Sequence, residues 1–160
     1  MNPDENRPTE QVIQPAYARL LLKSYRSLTR RDLLPVAASS EAAAEALFNA
    51  PFVVLSHEAS HDPVFVYANR AALARFAMSL DEIIGLPSRY SAEPVARDER
   101  QQLLDRVTAQ GYIDDYRGVR IDKNGQRFEV RNATVWNVID DNGKVIGQAA
   151  AFDEWSEIQR

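Results

Sequence analysis

Residues 63–87 read PVFVYANRAALARFAMSLDEIIGLP, and the order of events within them decides the fold. Val64, Phe65, Val66 and Tyr67 form a short strand that stops at Ala68-Asn69. An Ala/Leu-rich helix follows at once, over about 69–77. Ser79-Leu80-Asp81-Glu82 then opens a second short helix, which closes at Gly85.

Downstream, LPSRYSAEP (86–94) is irregular, and 97–110 reads as a longer helix with Leu103, Leu104 and Val107 facing inward. Gly111 is its left-handed stop. YIDDYRGVRI (112–121), QRFEVRNATVWNVI (126–139) and KVIGQAAAF (144–152) read as strands joined by Asp122-Lys123-Asn124-Gly125 and Asp140-Asp141-Asn142-Gly143. Asn-Gly between alternating apolar runs predicts tight hairpins whose two central residues take positive φ. The three strands therefore form an antiparallel meander. Upstream, PFVVLS (51–56) precedes the polar loop HEASHD and pairs with PVFVYA as a further hairpin.

Before the first strand the pattern is helical. Pro15 suits a first helical turn, and Tyr17, Leu21, Tyr25 and Leu28 recur at helical spacing, with Leu20 and Leu22 widening the stripe. The stripe runs to about Leu34 and stops at Pro35. A second helix fits 41–49, with Ser39 or Ser40 as cap and Ala43, Ala46 and Leu47 as its buried side. The chain divides into a disordered tail (1–14), a helical extension (15–50), a sheet domain (51–155) and a short C-terminal tail (156–160).

Composition narrows the classes. A chain of 160 residues with 45 % apolar and 26 % charged residues suits one globular domain. A net charge of −4 gives no general attraction to nucleic acid or anionic lipid. Arg26, Arg30 and Arg31 form one local cluster, read as a solvated helix end whose cations offset the dipole. Cysteine is absent, which removes disulfides, thiolate metal sites and thiol nucleophiles. No apolar run approaches the ~20 residues a bilayer span needs, and the polar N-terminus lacks a signal-peptide core. A cytoplasmic protein is expected.

The strand–Asn–helix–Ser-x-Asp-Glu–Gly series resembles the front half of a PAS domain. That resemblance implies an α+β fold: a five-stranded antiparallel sheet in the order 2-1-5-4-3 with helices on one face, here plus the N-terminal helical extension. More closely, PFVVLSH, LPSRYSAEPVARDER and GYIDDYRGVRI are similar to the MEKHLA domain, a PAS-related domain, over about residues 15–155. The resemblance implies a sensory or regulatory interaction role and attaches no reaction. A leading helix in PAS proteins often packs across a dimer interface, making Tyr17, Leu21, Tyr25 and Leu28 candidates for a homodimer contact. Signalling PAS domains usually end in Asp-Ile-Thr before an output element. Here only Asp153 matches, so a signal is expected to leave through a separate regulator protein or the dimer.

Candidate ligand residues come next. His57 and His61 sit in a loop, where His-x-x-x-His constrains little, and read as solvated with no metal assigned. The span 69–110 has no histidine, so a histidine-ligated haem is not expected, and without cysteine a cysteinyl-flavin photocycle is excluded. The cofactor is otherwise unknown. No Gly-rich phosphate loop is present. Tyr67 at the end of the second strand is a pocket candidate. Asn69 reads foremost as an N-cap worth ~1 kcal/mol and secondarily as a ligand contact. Alternation puts Phe128, Val130, Asn132, Thr134 and Trp136 on one face of the fourth strand, where Asn132 and Thr134 would be polar groups in an apolar wall. Small Ala149 and Ala151, or Gln148 and Ala150, lie opposite, leaving room for close packing or a cavity; a one-residue slip exchanges the faces. Tyr116 in the following strand is a further pocket candidate. Arg89 and Tyr90, with Arg117 and Arg120 of that strand, form a second set, a lip for an anionic ligand, solvated charges being the plainer reading.

The function expected is a PAS-like sensory or regulatory module that binds a small ligand, a protein partner or both, and that does not catalyse. A small-ligand carrier is the alternative. A small enzyme drawing on His57, Asp62, Asp114 and Asp115 has no supporting spacing.

Overall fold

The computed structural model describes residues 10–93 and 97–159. Strands β1 (Val53–Glu58), β2 (Phe65–Ala68), β3 (Tyr112–Ile121), β4 (Arg127–Ile139), β5 (Val145–Phe152) and β6 (Glu154–Glu157) form one sheet. Its order is β2-β1-β5-β4-β3, every neighbouring pair being antiparallel, with β6 added to the first half of β4. The order matches the expectation. The sixth strand was not foreseen: Ser156 and Glu157, expected as tail, pair with Glu129 and Phe128.

Helices α4 (Arg70–Phe76), α5 (Leu80–Ile83) and α6 (Arg97–Gln110) cover one face. Each end has a local cause. Asn69 caps α4 through Ala72 N–H; Ser79 and Glu82 form a reciprocal capping box on α5; Gly111, at φ 93°, takes the left-handed stop after α6. A 3-10 turn at Ser88–Ser91 joins α5 to the segment before α6.

The opposite face is covered by α1 (Glu10–Ile13), α2 (Pro15–Thr29) and α3 (Ser40–Phe48). Ala18, Leu21 and Tyr25 are buried against Val54, Trp136, Val138 and Ala149 of the sheet. Tyr25 meets Trp136 edge-on at 5.1 Å, and Trp136 Nε1 donates to the Leu21 carbonyl at 3.2 Å. Ser24 Oγ accepts from Ile139 N–H at 2.8 Å, and Arg19 and Lys23 pair with Asp141. The extension is thus the second layer of the core. Expected tail residues 10–14 belong to it too: Ile13 is buried, and Gln14 Nε2 donates to the Val66 carbonyl at 2.9 Å. Residues 1–9 of that expected tail lie outside the described residues. The helix ends at Thr29, short of Leu34, because Arg30 turns left-handed (φ 64°).

The two late hairpins form as expected, with a different turn chemistry. Only Gly125 and Gly143 take positive φ, both at 81°, whereas Asn124 and Asn142 do not. Asp122 Oδ1 accepts from the N–H groups of Asn124 and Gln126, and Asp140 Oδ1 from those of Asn142 and Lys144, all at 2.9 Å. The aspartates bracket the turn, so one left-handed glycine suffices.

Strand β4 departs most from its expected alternation. Tyr116 pairs with Ala133 and Gly118 with Val130, leaving Arg131 and Asn132 opposite Arg117 alone. This is a bulge, and Asn132 takes φ 52°. It exchanges the faces of the strand: Phe128 and Val130 look toward α4, while Trp136 looks toward α2.

Candidate functional site

Between the sheet and helices α4 and α6 lies a cavity of about 70 Å³. Its apolar wall includes Leu55, Phe65, Phe76, Leu103, Val130 and Val135. Eight polar side chains break that wall, among them His57, Ser88, Arg100, Tyr116, Arg120 and Gln148. Each is placed by a local device. Arg100 shares the inward stripe of α6 with Leu103 and Val107 and is 7 % exposed. It donates to Ser88 Oγ, on the 3-10 turn. Tyr116 lies over Gly118, where an added Cβ would collide with its hydroxyl, and Arg120 stacks 5.2 Å from its ring. Gln148 Nε2 reaches Asn137 Oδ1 and Thr108 Oγ1, both at 3.1 Å, and the Leu104 carbonyl at 3.2 Å, pinning β5 to α6.

The electrostatics of this cavity are lopsided. Arg100 is pushed down to about 10, first by burial and then by the charge of Arg120. Burial also lowers Arg120, with Tyr116 opposing. Burial likewise lowers His57; Arg100 adds to this, while the Glu58 carbonyl and carboxylate oppose it. A groove of about 450 Å³, lined by His57, Leu104 and Gln148 among others, adjoins the cavity and shares those three residues with it.

The expected pocket residues divide. Tyr116 and Gln148 line the cavity. Tyr67 points into the other core, stacked 6.2 Å from Tyr17. Its hydroxyl is buried without a partner, and burial raises its pKa strongly. Trp136 is buried beside α2, and Thr134 pairs with Ala151 without lining the cavity. Asn132 is exposed at the bulge and bonds Glu154 Oε2 at 2.6 Å. The bulge moves Asn132, Thr134 and Trp136 of β4 away from the cavity.

Asn69 is fully buried and is a structural lock. Its Oδ1 accepts from Val54 and Ala72 N–H, both at 3.0 Å, and its Nδ2 donates to the Leu47 and Phe52 carbonyls at 3.1 and 2.9 Å. Arg89 pairs with Asp62 at 3.0 Å and stacks on the exposed Tyr90, outside the cavity. Arg117 pairs with Glu129 at 2.7 Å, also outside it. The stripe assigned to a dimer is spent within the chain: Leu21 and Tyr25 are buried, and Tyr17 and Leu28 pack on the same core.

Sequence reasoning missed Arg100 altogether and His57 as a cavity residue. The signal for Arg100 was its place three and seven residues before Leu103 and Val107. Among the described residues there is no group of three potential metal ligands, and no helix is long and apolar enough to cross a membrane.

Comparison with known proteins agrees with this geometry. A family model described as the MEKHLA domain matches residues 15–157. No curated protein matches the sequence significantly. Among solved structures, a PAS domain from Colwellia psychrerythraea is 14 % identical with a TM-score of 0.60, covering 72 % of this chain and 92 % of its own. The light-state dimer of the fungal blue-light photoreceptor Vivid is 19 % identical with a TM-score of 0.56, covering 86 % and 91 %. An RNA-binding light-oxygen-voltage receptor is 16 % identical with a TM-score of 0.60, covering 76 % and 34 %. At these identities the likeness is one of fold. Without a cysteine the chain cannot form a cysteinyl-flavin adduct, and the cavity of about 70 Å³ is far below the ~300 Å³ and more of ordinary cofactor pockets.

Proposed function

The chain belongs to the MEKHLA domain family, and we propose that it is a non-catalytic sensory module whose ligand site is the cavity between the sheet and helices α4 and α6. One observation carries the reading. Polar side chains from β1, β3, β5, α6 and the 3-10 turn converge on a single apolar-walled concavity, which is the anatomy of a small-molecule site.

The non-catalytic reading rests on the same residues. His57 Nδ1 bonds the Glu58 carbonyl at 2.8 Å, so no carboxylate orients it. Ser88 Oγ is engaged by Arg100, and Ser91 Oγ donates to the Ser88 carbonyl at 2.7 Å. No nucleophile–base–orienter chain is built from these groups. Occupancy of the cavity would be felt at α6, whose inner face forms its wall, and through α6 at the surface offered to a protein partner. A homodimer, where formed, uses a surface other than the Tyr17–Leu28 stripe.

Native mass spectrometry of the purified protein, with the released small molecules identified, tests the reading. A bound mass that disappears in the cavity-filling variant Ala150→Leu supports it. A mass retained unchanged in that variant places the ligand elsewhere and overturns it.

A further inference from the structure

We propose that this cavity takes a small carboxylate held between the guanidinium groups of Arg100 and Arg120, an inference that rests on the ligand site argued above. Arg100 is buried and Arg120 part-buried, and a cation set in an apolar wall needs counter-charge, because an unpaired charge there carries a large desolvation cost. Many of the other arginines have it: Arg19, Arg26, Arg31, Arg75, Arg89, Arg117 and Arg127 each lie within 4.0 Å of a carboxylate oxygen, while Arg70 and Arg131 bond neutral side chains at the surface. Among the described residues no such carboxylate pairs with Arg100 or Arg120. Arg100 is held by a neutral hydroxyl and feels Asp62 only at longer range, that carboxylate being paired with Arg89. Arg120 donates to the Val119 carbonyl at 3.2 Å and bonds the Tyr116 hydroxyl. The two cations line one cavity, and the charge of Arg120 disfavours that of Arg100. An anion between them answers both.

Size and wall chemistry narrow the anion. A cavity of about 70 Å³, well below the ~300 Å³ and more of ordinary ligand pockets, favours a small acid of a few carbons. The apolar wall receives a short carbon skeleton, which inorganic phosphate lacks. The flat fork of a guanidinium matches a carboxylate.

His57 adds a separate observation. Its Nδ1 faces the Glu58 carbonyl and must carry the proton, leaving Nε2 an acceptor, and Nε2 is buried with no partner. A hydroxyl beside the ligand carboxylate supplies the missing donor. A 2-hydroxycarboxylate therefore fits best.

Calorimetric titration at constant ionic strength tests this with sodium lactate, sodium propionate, propionamide and inorganic phosphate. Lactate should bind tightest, propionate more weakly and propionamide at least about tenfold more weakly than propionate, the value of one charge-assisted contact pair. Arg100→Gln and Arg120→Gln should each weaken lactate about tenfold or more. Their melting temperatures without ligand should equal or exceed the wild type, since each removes a charge with no carboxylate within salt-bridge distance; a purely structural arginine would lower them. Propionamide binding as well as propionate, with both variants unchanged, overturns the anion while leaving the cavity as a ligand site. Phosphate binding more tightly than lactate, or no carboxylate binding at all, overturns the carboxylate. Lactate binding that Ala150→Leu leaves intact overturns the cavity itself.

Discussion

Replacing Asn69 by alanine should cost far more than the loss of a helix cap. Four buried or part-buried backbone groups use its amide: the N–H groups of Val54 and Ala72 and the carbonyls of Leu47 and Phe52. The Leu47 carbonyl also accepts from Ala50 N–H at 3.3 Å, so it keeps a partner. The two donors and the Phe52 carbonyl do not share that relief. At ~1–3 kcal/mol per buried group left unpaired, Asn69→Ala should lose ~4 kcal/mol. An ordinary exposed cap is worth ~1 kcal/mol, and Ser79→Ala on the exposed capping box of α5 provides that reference within the same chain. Asn69→Asp keeps the acceptor but turns a second oxygen toward two carbonyls, and it too should be strongly destabilising. Urea unfolding of the three variants at neutral pH, compared at equal m-value, gives the numbers. An Asn69→Ala cost no larger than that of Ser79→Ala would refute the reasoning that Asn69 ties β1, α3 and α4 together.

Three further outcomes are expected. Leu21→Ala should destabilise the chain by ~2–5 kcal/mol, measured by urea unfolding, with no change in oligomeric state by light scattering, because Leu21 is fully buried against the sheet. His57 has a folded pKa below its ordinary 6.5, with Glu58 favouring and Arg100 opposing its charge, and His61 and Asp105 facing the adjoining groove. Its contribution is therefore complete above about pH 6.5 and lost as pH falls, so stability should drop on acidification through that range and His57→Gln should flatten the drop. Arg19 and Lys23 hold Asp141 down to about 2 from 3.8; its contribution should persist above pH 3.8, fade toward pH 2, and disappear in Asp141→Asn and in high salt, as read by acid unfolding.

Much of the fold is written locally. The residues from Pro63 to Pro87 carry their own strand, caps and stops, and the Asp-x-Asn-Gly turns bring the last three strands together without help from distant groups. The elements that escaped reading depend on partners far along the chain. The stripe of α2 shows that something covers it, but only the tertiary structure shows that Trp136 and Val138 of the same chain do so. The left-handed Asn132 is invisible in an alternating run, although Asn is the side chain that best tolerates such a backbone. From that single residue follow the inverted faces of β4 and the loss of Asn132, Thr134 and Trp136 from the site. Arg100 looks like solvent-facing charge in RDERQQLLDRV, since a buried cation contradicts composition and makes sense only once a cavity faces it. In β3, Tyr116, Gly118 and Arg120 fall on alternate positions and share the cavity face, a pattern the sequence holds but does not rank.

Methyl NMR of the isotope-labelled protein during titration with sodium lactate tests the central claim most directly. The account predicts shifts at the methyls of Leu55, Leu103, Val130 and Val135, which line the cavity, and none at Leu21, Val54 and Val138 on the opposite core. Unchanged cavity methyls, or shifts confined to the α2 side of the sheet, would contradict it.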